Sequence, residues 1–247
     1  MSKAVEQHYE KLLSRHYSWM FGVSLESKAG EQLALLKTLG LGPQLTGLAI
    51  DLGCGPGFQT FALADLGATR VIAIDTSRAL LDEMMAHAGT RPVQPIHGDI
   101  RQLSDLCAPG TAEAIVCMGD TLTHLADKAD VERLFTAAHR ALQDGGAFVL
   151  TYRDLSQPLE GIDRILPIRA DDDRIMTCIL DFHDQTVTVT DVVHRRENGA
   201  WMSEKSSYEK LRLAPSWVAD QLSRAGFRID RNEPAGRLHA VVARKSG

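Results

Sequence analysis

The residue types best suited to chemistry are gathered in one turn. Leu48-Ala49-Ile50-Asp51-Leu52-Gly53-Cys54-Gly55-Pro56-Gly57 reads as a short apolar strand, three glycines and the start of a helix. Without a Cβ, the backbone at Gly53, Gly55 and Gly57 can approach a bound ligand closely. At the carboxyl end of the first strand of a doubly wound sheet, such a turn receives a nucleotide-like ligand. Its spacing is G-x-G-x-G, whereas dinucleotide folds use G-x-G-x-x-G, and Asp51 stands two residues before the first glycine. A carboxylate there would oppose a diphosphate and suit a ligand with a sulfonium or an ammonium. Asp75 closes the next apolar run, R-V-I-A-I-D, where an acid can accept both ribose hydroxyls of either ligand class. Asp99, in G-D-I, closes the third.

A second group follows the run A-I-V-C-M-G-D. His124 could take a proton from a hydroxyl or an ammonium, since an unperturbed imidazole titrates near pH 6.5, or it could cap a helix start. Asp120 could orient that imidazole, bind a cationic substrate or serve as an N-cap. Arg153, at the end of the next strand, could hold a carboxylate or phosphate, or pair with Asp154. Tyr208 and His183 could line an acceptor site or be plain sheet residues. The cluster Tyr17-Ser18-Trp19-Met20-Phe21 could act as a water-excluding lid or simply pack in the core.

The elements that must position these groups are legible from periodicity. Val5, Tyr9, Leu12, Leu13 and Tyr17 recur at helical spacing, and a second helix carries Leu33, Leu36 and Leu39. From residue 47, apolar runs alternate with helices: GLAID, RVIAID, PVQPIHGD, AEAIVCMGD and GGAFVLTYRD. The helix before the last shows Val131, Leu134, Phe135, Ala138 and Leu142 on one stripe, and Gly145-Gly146 is expected to stop it. Alternation of this kind predicts a parallel sheet covered on both faces. Residues 154–214 break it with three strands, RIMTCILDF, TVTVTDVVHRR and WMSEKSSYEKLRL, the last two joined at Asn198-Gly199 in a tight hairpin. A final helix, with Pro215 in its first turn and Gly226 at its C-cap, precedes two more strands.

With 247 residues and 44% hydrophobic side chains, the chain can bury a core without staples, and disorder is excluded. Twenty-seven Lys and Arg against 32 Asp and Glu do not favour a grip on nucleic acid. Four scattered cysteines argue for a reducing compartment and against a zinc site. The polar N-terminus and the lack of an apolar run of about 20 residues argue against a signal peptide or membrane span, so a cytoplasmic protein is expected.

D-L-G-C-G-P-G at 51–57, V-I-A-I-D at 71–75, G-D-I at 98–100, A-I-V-C-M-G-D at 114–120 and G-G-A-F-V-L-T at 145–151 together resemble the class I S-adenosylmethionine (SAM)-dependent methyltransferases. The resemblance implies an α/β fold, a doubly wound seven-stranded Rossmann-like sheet of order 3-2-1-4-5-7-6, with an antiparallel insert after strand five. It implies SAM as cofactor and S-adenosylhomocysteine as product. The contacts it implies fall on Asp51, Gly53, Cys54, Gly55, Gly57, Asp75, Thr76, Asp99, Ile100 and Met118, with Tyr17 and Trp19 closing over them. Residues 1–247 then form one domain: a lid at 1–46, the SAM-binding core at 47–153, a roof at 154–214 and a closing unit at 215–247. No N/D-P-P-Y/F run follows strand four, so a small-molecule acceptor is expected, methylated at oxygen or nitrogen. A SAM-binding protein without turnover and an NAD-dependent dehydrogenase are the alternatives. Monomer and homodimer are both open.

Overall fold

A computed structural model describes residues 2–42 and 45–247. The N-terminal segment is α1 (Lys3–Lys11), a 3-10 turn (Leu13–Arg15), α2 (Tyr17–Met20) and α3 (Leu25–Thr38). The alternating region follows as β1 (Leu48–Leu52), α4 (Phe58–Asp65), β2 (Arg70–Asp75), α5 (Arg78–His87) and β3 (Val93–His97). It continues through a 3-10 turn (Ile100–Gln102), α6 (Leu103–Leu106), β4 (Ala112–Cys117), a 3-10 turn (Thr121–His124), α7 (Lys128–Ala141) and β5 (Leu142–Tyr152). Next come β6 (Ile165–Ala170), β7 (Arg174–Phe182), β8 (Thr186–Glu197) and β9 (Ala200–Leu211). The chain closes with α8 (Pro215–Arg224), β10 (Phe227–Ala235) and β11 (Leu238–Lys245).

One sheet runs β3-β2-β1-β4-β5-β11-β10, with β11 antiparallel to both its neighbours. That is the doubly wound 3-2-1-4-5-7-6 order expected, counting β10 and β11 as the sixth and seventh strands. Period-two alternation divides each central strand between two cores. Ile50, Leu52, Ile72, Ile74, Ile115 and Phe148 pack with α7 and α8 on one face. Ala49, Val71, Ala114, Val116 and Val149 pack with α3 and α4 on the other. The strand order reverses between β1 and β4, so a crevice opens at the carboxyl ends of those strands.

The second sheet, β6-β7-β8-β9, is an antiparallel meander whose inner face carries Met176, Cys178, Leu180, Val187, Val189, Val193 and Tyr208. Asn198 (φ 50°) and Gly199 (φ 80°) make its two-residue hairpin, with Glu197 opposite Ala200. The meander has four strands where the sequence suggested three. β6 escaped detection because it is short, carries Pro167 and lies half exposed at the sheet edge, where proline is tolerated and the apolar alternation is weak. The amphipathic N-terminal helix is also divided: the chain leaves helical geometry at Leu12 (φ −132°) so that Leu12 and Leu13 can insert beneath the meander. Helix α7 ends at Ala141, and Gly145-Gly146 lie inside β5. A Cβ on Gly146 would stand 2.8 Å from the Gln143 carbonyl oxygen, so this pair serves a tight strand entry, not a helix stop.

Candidate functional site

The glycine turn is held by its own backbone. Gly53 and Cys54 N–H both donate to Ile74 O (2.8 and 3.0 Å), and Gly57 N–H donates to Cys54 O (3.0 Å). Gly53, Gly55 and Gly57 all have positive φ. A Cβ on Gly57 would sit 2.5 Å from Met84 Cγ, and one on Gly53 would collide with Thr121. Over Gly55, by contrast, the nearest atom to a Cβ would be the edge of the Tyr17 ring at an ordinary 3.5 Å, so a side chain, not backbone, covers that stretch. Cys54 is buried, its thiol pushed well up by burial and by Asp75 and Asp51.

Asp75 reaches back from β2 to this turn. Its Oδ2 accepts from Gly55 N–H and its Oδ1 from Ser77 N–H, both at 2.8 Å. Burial raises its pKa despite those bonds. Each carboxylate oxygen has a second lone pair, so two ribose hydroxyls could still be received. Thr76 and His97 sit beside it, linked by Thr76 O and His97 Nε2 at 2.9 Å. A cavity of about 360 Å³ lined by Glu10, Ser14, Ser77, Arg78, Ala79, Asp82 and His97 opens there, between α1 and the start of α5. Asp99 caps the turn Ile100–Gln102 through Arg101 N–H (2.9 Å) and pairs with the Arg101 guanidinium (2.7 Å). Burial works against its ionisation, but Arg101 prevails and lowers its pKa. Ile100 and Met118 are buried on opposite faces of the sheet.

At this end Asp51 has a structural partner of its own, and the placement expected of Trp19 is corrected. Asp51 shares the α4 face with Ala49, and its Oδ2 accepts from Thr60 Oγ1 on α4 at 2.7 Å. With only 1% exposure, its pKa is raised by burial to about 7, and its bond to Thr60 seats helix on strand. Trp19 is not beside Tyr17 at the turn. Its indole lies on the Arg174 and Arg169 guanidinium groups (4.4 and 5.3 Å), and its N–H donates to Asp171 Oδ2 at 2.5 Å, which clips α2 to the β6–β7 turn.

Beyond β4, the chain gathers polar side chains from five distant segments. Asp120 Oδ1 accepts from Arg153 N–H (3.0 Å) and from Thr123 Oγ1 (3.2 Å), while Oδ2 pairs with Lys210 and lies 3.8 Å from Arg153 Nε. Burial alone would raise Asp120, but Lys210, with His124 and Arg153, draws it down to about 2. His124 is buried and its Nε2 has no hydrogen-bond partner among the described residues. Burial and then Lys210 lower its pKa to about 3, far below the value of 6.5 expected from composition alone, so the imidazole is neutral. Aromatic rings surround it: Tyr208 at 5.4 Å and Tyr9 at 5.9 Å, with Tyr17 6.0 Å beyond Tyr9. On the same wall, buried His8 of α1 bonds Asp191 of β8 (Nε2 to Oδ2, 3.0 Å) and packs on Tyr208 at 4.3 Å.

His183 is not part of this group. It sits exposed at the β7–β8 turn, its Nε2 bonded to Thr188 Oγ1 at 2.8 Å, because the short connection places it at the end of the sheet. The residues that sequence reasoning missed are His8, Tyr9, Asp191 and Lys210. One signal was available: Asp191 takes an inward place in the alternation Val187, Val189, Asp191, Val193, where an acid must find a buried partner.

A seven-stranded doubly wound sheet with a glycine turn at its switch point defines the class as Rossmann-like. Comparison with known proteins narrows it. The family profile described as a methyltransferase domain matches residues 49–146. Cypemycin N-terminal methyltransferase from a Streptomyces species is 31% identical over 169 residues, spanning 63% of this chain and 67% of that one. Ubiquinone biosynthesis O-methyltransferase from Xanthomonas campestris pv. campestris strain B100 is 34% identical over 104 residues, 41% of each chain. Among solved structures, the CcbJ methyltransferase from Streptomyces caelestis superposes with a TM-score of 0.77 at 20% identity, covering 98% of this chain and 99% of that one. The sugar N-methyltransferase KedS8 from Streptoalloteichus sp ATCC 53650 gives 0.73 at 15%, covering 96% and 93%. The chain belongs to the SAM-dependent methyltransferases. That membership excludes the dehydrogenase reading.

Proposed function

We propose that this protein transfers a methyl group from SAM to an oxygen or nitrogen of a small-molecule acceptor held between the glycine turn and the meander. The observation that carries the reading is the glycine turn at Gly55, held by Asp75 and covered by Tyr17, whose ring leads through Tyr9 to His124. SAM supplies a methyl carbon already activated by its sulfonium. Gly53, Cys54, Gly55 and Gly57 would cradle its amino-acid end and Asp75 its ribose. Thr76, Asp99, Ile100 and Met118 would border the adenine and the floor. Tyr17 covers the turn and excludes water. Arg153, Asp120 and Tyr208 border the acceptor, and His124, as a neutral imidazole, can accept a hydrogen bond from it. Much of the rate would come from orientation, for which effective molarities correspond to about 7–11 kcal/mol.

The test is a melting shift. SAM or S-adenosylhomocysteine at about 100 times its Kd adds about 2.7 kcal/mol, roughly 5–11 °C at this size. No shift with either ligand overturns the reading. Turnover is then sought across phenols, primary amines and carboxylates. A peptide N-terminal amine belongs in that panel because the Streptomyces relative is named for one. A shift without product from any acceptor would favour a SAM-binding protein that does not turn over.

A further inference from the structure

We propose that His8, carried on α1, is the general base of the transfer, with Asp191 of β8 as the residue that positions it. The proposal rests on the methyltransferase reading above and adds to it the group that removes the acceptor's proton.

His8 is fully buried, and Asp191 is only 4% exposed. An ionised carboxylate can only accept, so Asp191 Oδ2, 3.0 Å from Nε2, places the ring proton on that nitrogen. The other nitrogen, Nδ1, is buried and has no hydrogen-bond partner among the described residues. A proton there would be a donor facing nothing, so the stable tautomer leaves a lone pair on Nδ1. An imidazole with one nitrogen fixed by a carboxylate and the other bare is equipped to take a proton in a transition state. Asp191 then stabilises the imidazolium that forms.

The ring also lies in the right place. It packs on Tyr208 at 4.3 Å, and Tyr208 in turn meets His124 at 5.4 Å, so His8 shares the acceptor wall. The adjacent residue, Tyr9, reaches His124 and Tyr17, which covers Gly55. At His124, burial and Lys210 disfavour the charged form, whereas the contact made by the His8 ring is with the Asp191 carboxylate. In the step itself, a lone pair of the acceptor's oxygen or nitrogen forms the new bond to the methyl carbon, and the methyl–sulfur bond breaks with its pair remaining on sulfur. The O–H or N–H proton of the attacking atom passes to Nδ1 while its bonding pair stays on that atom. The positive charge thus moves from sulfur to His8, beside Asp191. Because His8 rides on α1, the base is in place only while α1 is docked on the meander.

The experiment uses the full chain with histidine rings labelled with 15N, free and with S-adenosylhomocysteine. Binding of that ligand is measured first, and its absence overturns the reading on which the role of His8 rests before any variant is made. Long-range 1H–15N spectra are expected to show His8 with a proton on Nε2 and none on Nδ1, assigned by the signal lost in His8→Gln. Gln keeps an amide donor towards Asp191, so folding and ligand affinity should stay within about threefold, while kcat for any acceptor in the amine and phenol panel falls by about 100-fold or more. Should His8→Gln not fold, Asp191→Asn takes its place, with kcat falling at unchanged KM and ligand affinity. A kcat within threefold of wild type, or a proton found on Nδ1, overturns the proposal. If wild type methylates nothing in the panel, the tautomer alone decides it, bare Nδ1 supporting and protonated Nδ1 refuting.

Discussion

The end of the crevice proposed to hold the cofactor and the end proposed to hold the acceptor are built in different ways. At the cofactor end, backbone N–H groups of the glycine turn are bonded to β2 and to Asp75, all within residues 51–77. At the other end, His8, Asp120, His124, Arg153, Asp191, Tyr208 and Lys210 meet through side chains from α1, the residue after β5, β8, β9 and the turn after β4. The first is local geometry that tolerates little change of residue. The second is a set of side chains that could be exchanged for others on the same scaffold, which suits a constant cofactor and a variable acceptor.

The two ends should also respond oppositely to pH, and this is the largest expected effect. Asp51 has a folded pKa of about 7, above its unfolded value, so its stabilising contribution is present below about pH 4 and lost as pH rises through 7. His124 has a folded pKa of about 3, below its unfolded value, so its contribution is present above about pH 6.5 and lost as pH falls towards 3. Each corresponds to about 4 kcal/mol, on the order of three units at 1.36 kcal/mol per unit. Urea unfolding from pH 4 to 7 should therefore show Asp51→Asn gaining on wild type as pH rises, and His124→Gln gaining as pH falls. Curves parallel to wild type for both variants would end the contrast.

Gly57→Val comes next. Its Cβ would meet Met84 Cγ at a φ of 95°, and a loss of about 3 kcal/mol, or roughly 6–12 °C in Tm, is expected, together with loss of S-adenosylhomocysteine binding. Lys210→Met is smaller, about 2 kcal/mol, since Asp120 loses its lysine but keeps the bonds from Arg153 N–H and Thr123 Oγ1 and has Arg153 Nε 3.8 Å away. Ligand affinity, read by calorimetry, should stay within about threefold in this variant. An equal loss of affinity in both variants would show that the two ends are not separable. The smallest effect is expected for Trp19→Phe, which keeps the stack on Arg174 but loses the bond to Asp171. A melting curve should record about 0.5–1 kcal/mol.

The cofactor end was legible because its information is local. Three glycines at fixed spacing need positive φ, and the acids at strand ends follow from apolar runs whose length and limits can be read directly. Even there, alternation decides what a side chain faces, and Asp51 falls on the helix side with Thr60. At the acceptor end, Asp120, His124, Arg153 and Tyr208 were singled out, but their partners were not. Nothing within 80 residues of Lys210 signals that it will pair with Asp120, or that His8 will find Asp191. Those pairs depend on how α1 and the meander dock. Trp19 and His183 show the same limit from the other side, since chemically apt residues were carried away from the crevice by the turns that hold them.

The sequence by itself determined the alternation of strands and helices, the glycine turn and the place of Asp75, because periodicity and backbone conformation act over a few residues, while the sheet order was implied by the family resemblance. Only the tertiary structure decided that His124 is neutral, that Asp120 is held ionised by Lys210, and that His8 has one nitrogen fixed and one bare. Burial and charge neighbours set those states, and both are properties of segments brought together from opposite ends of the chain.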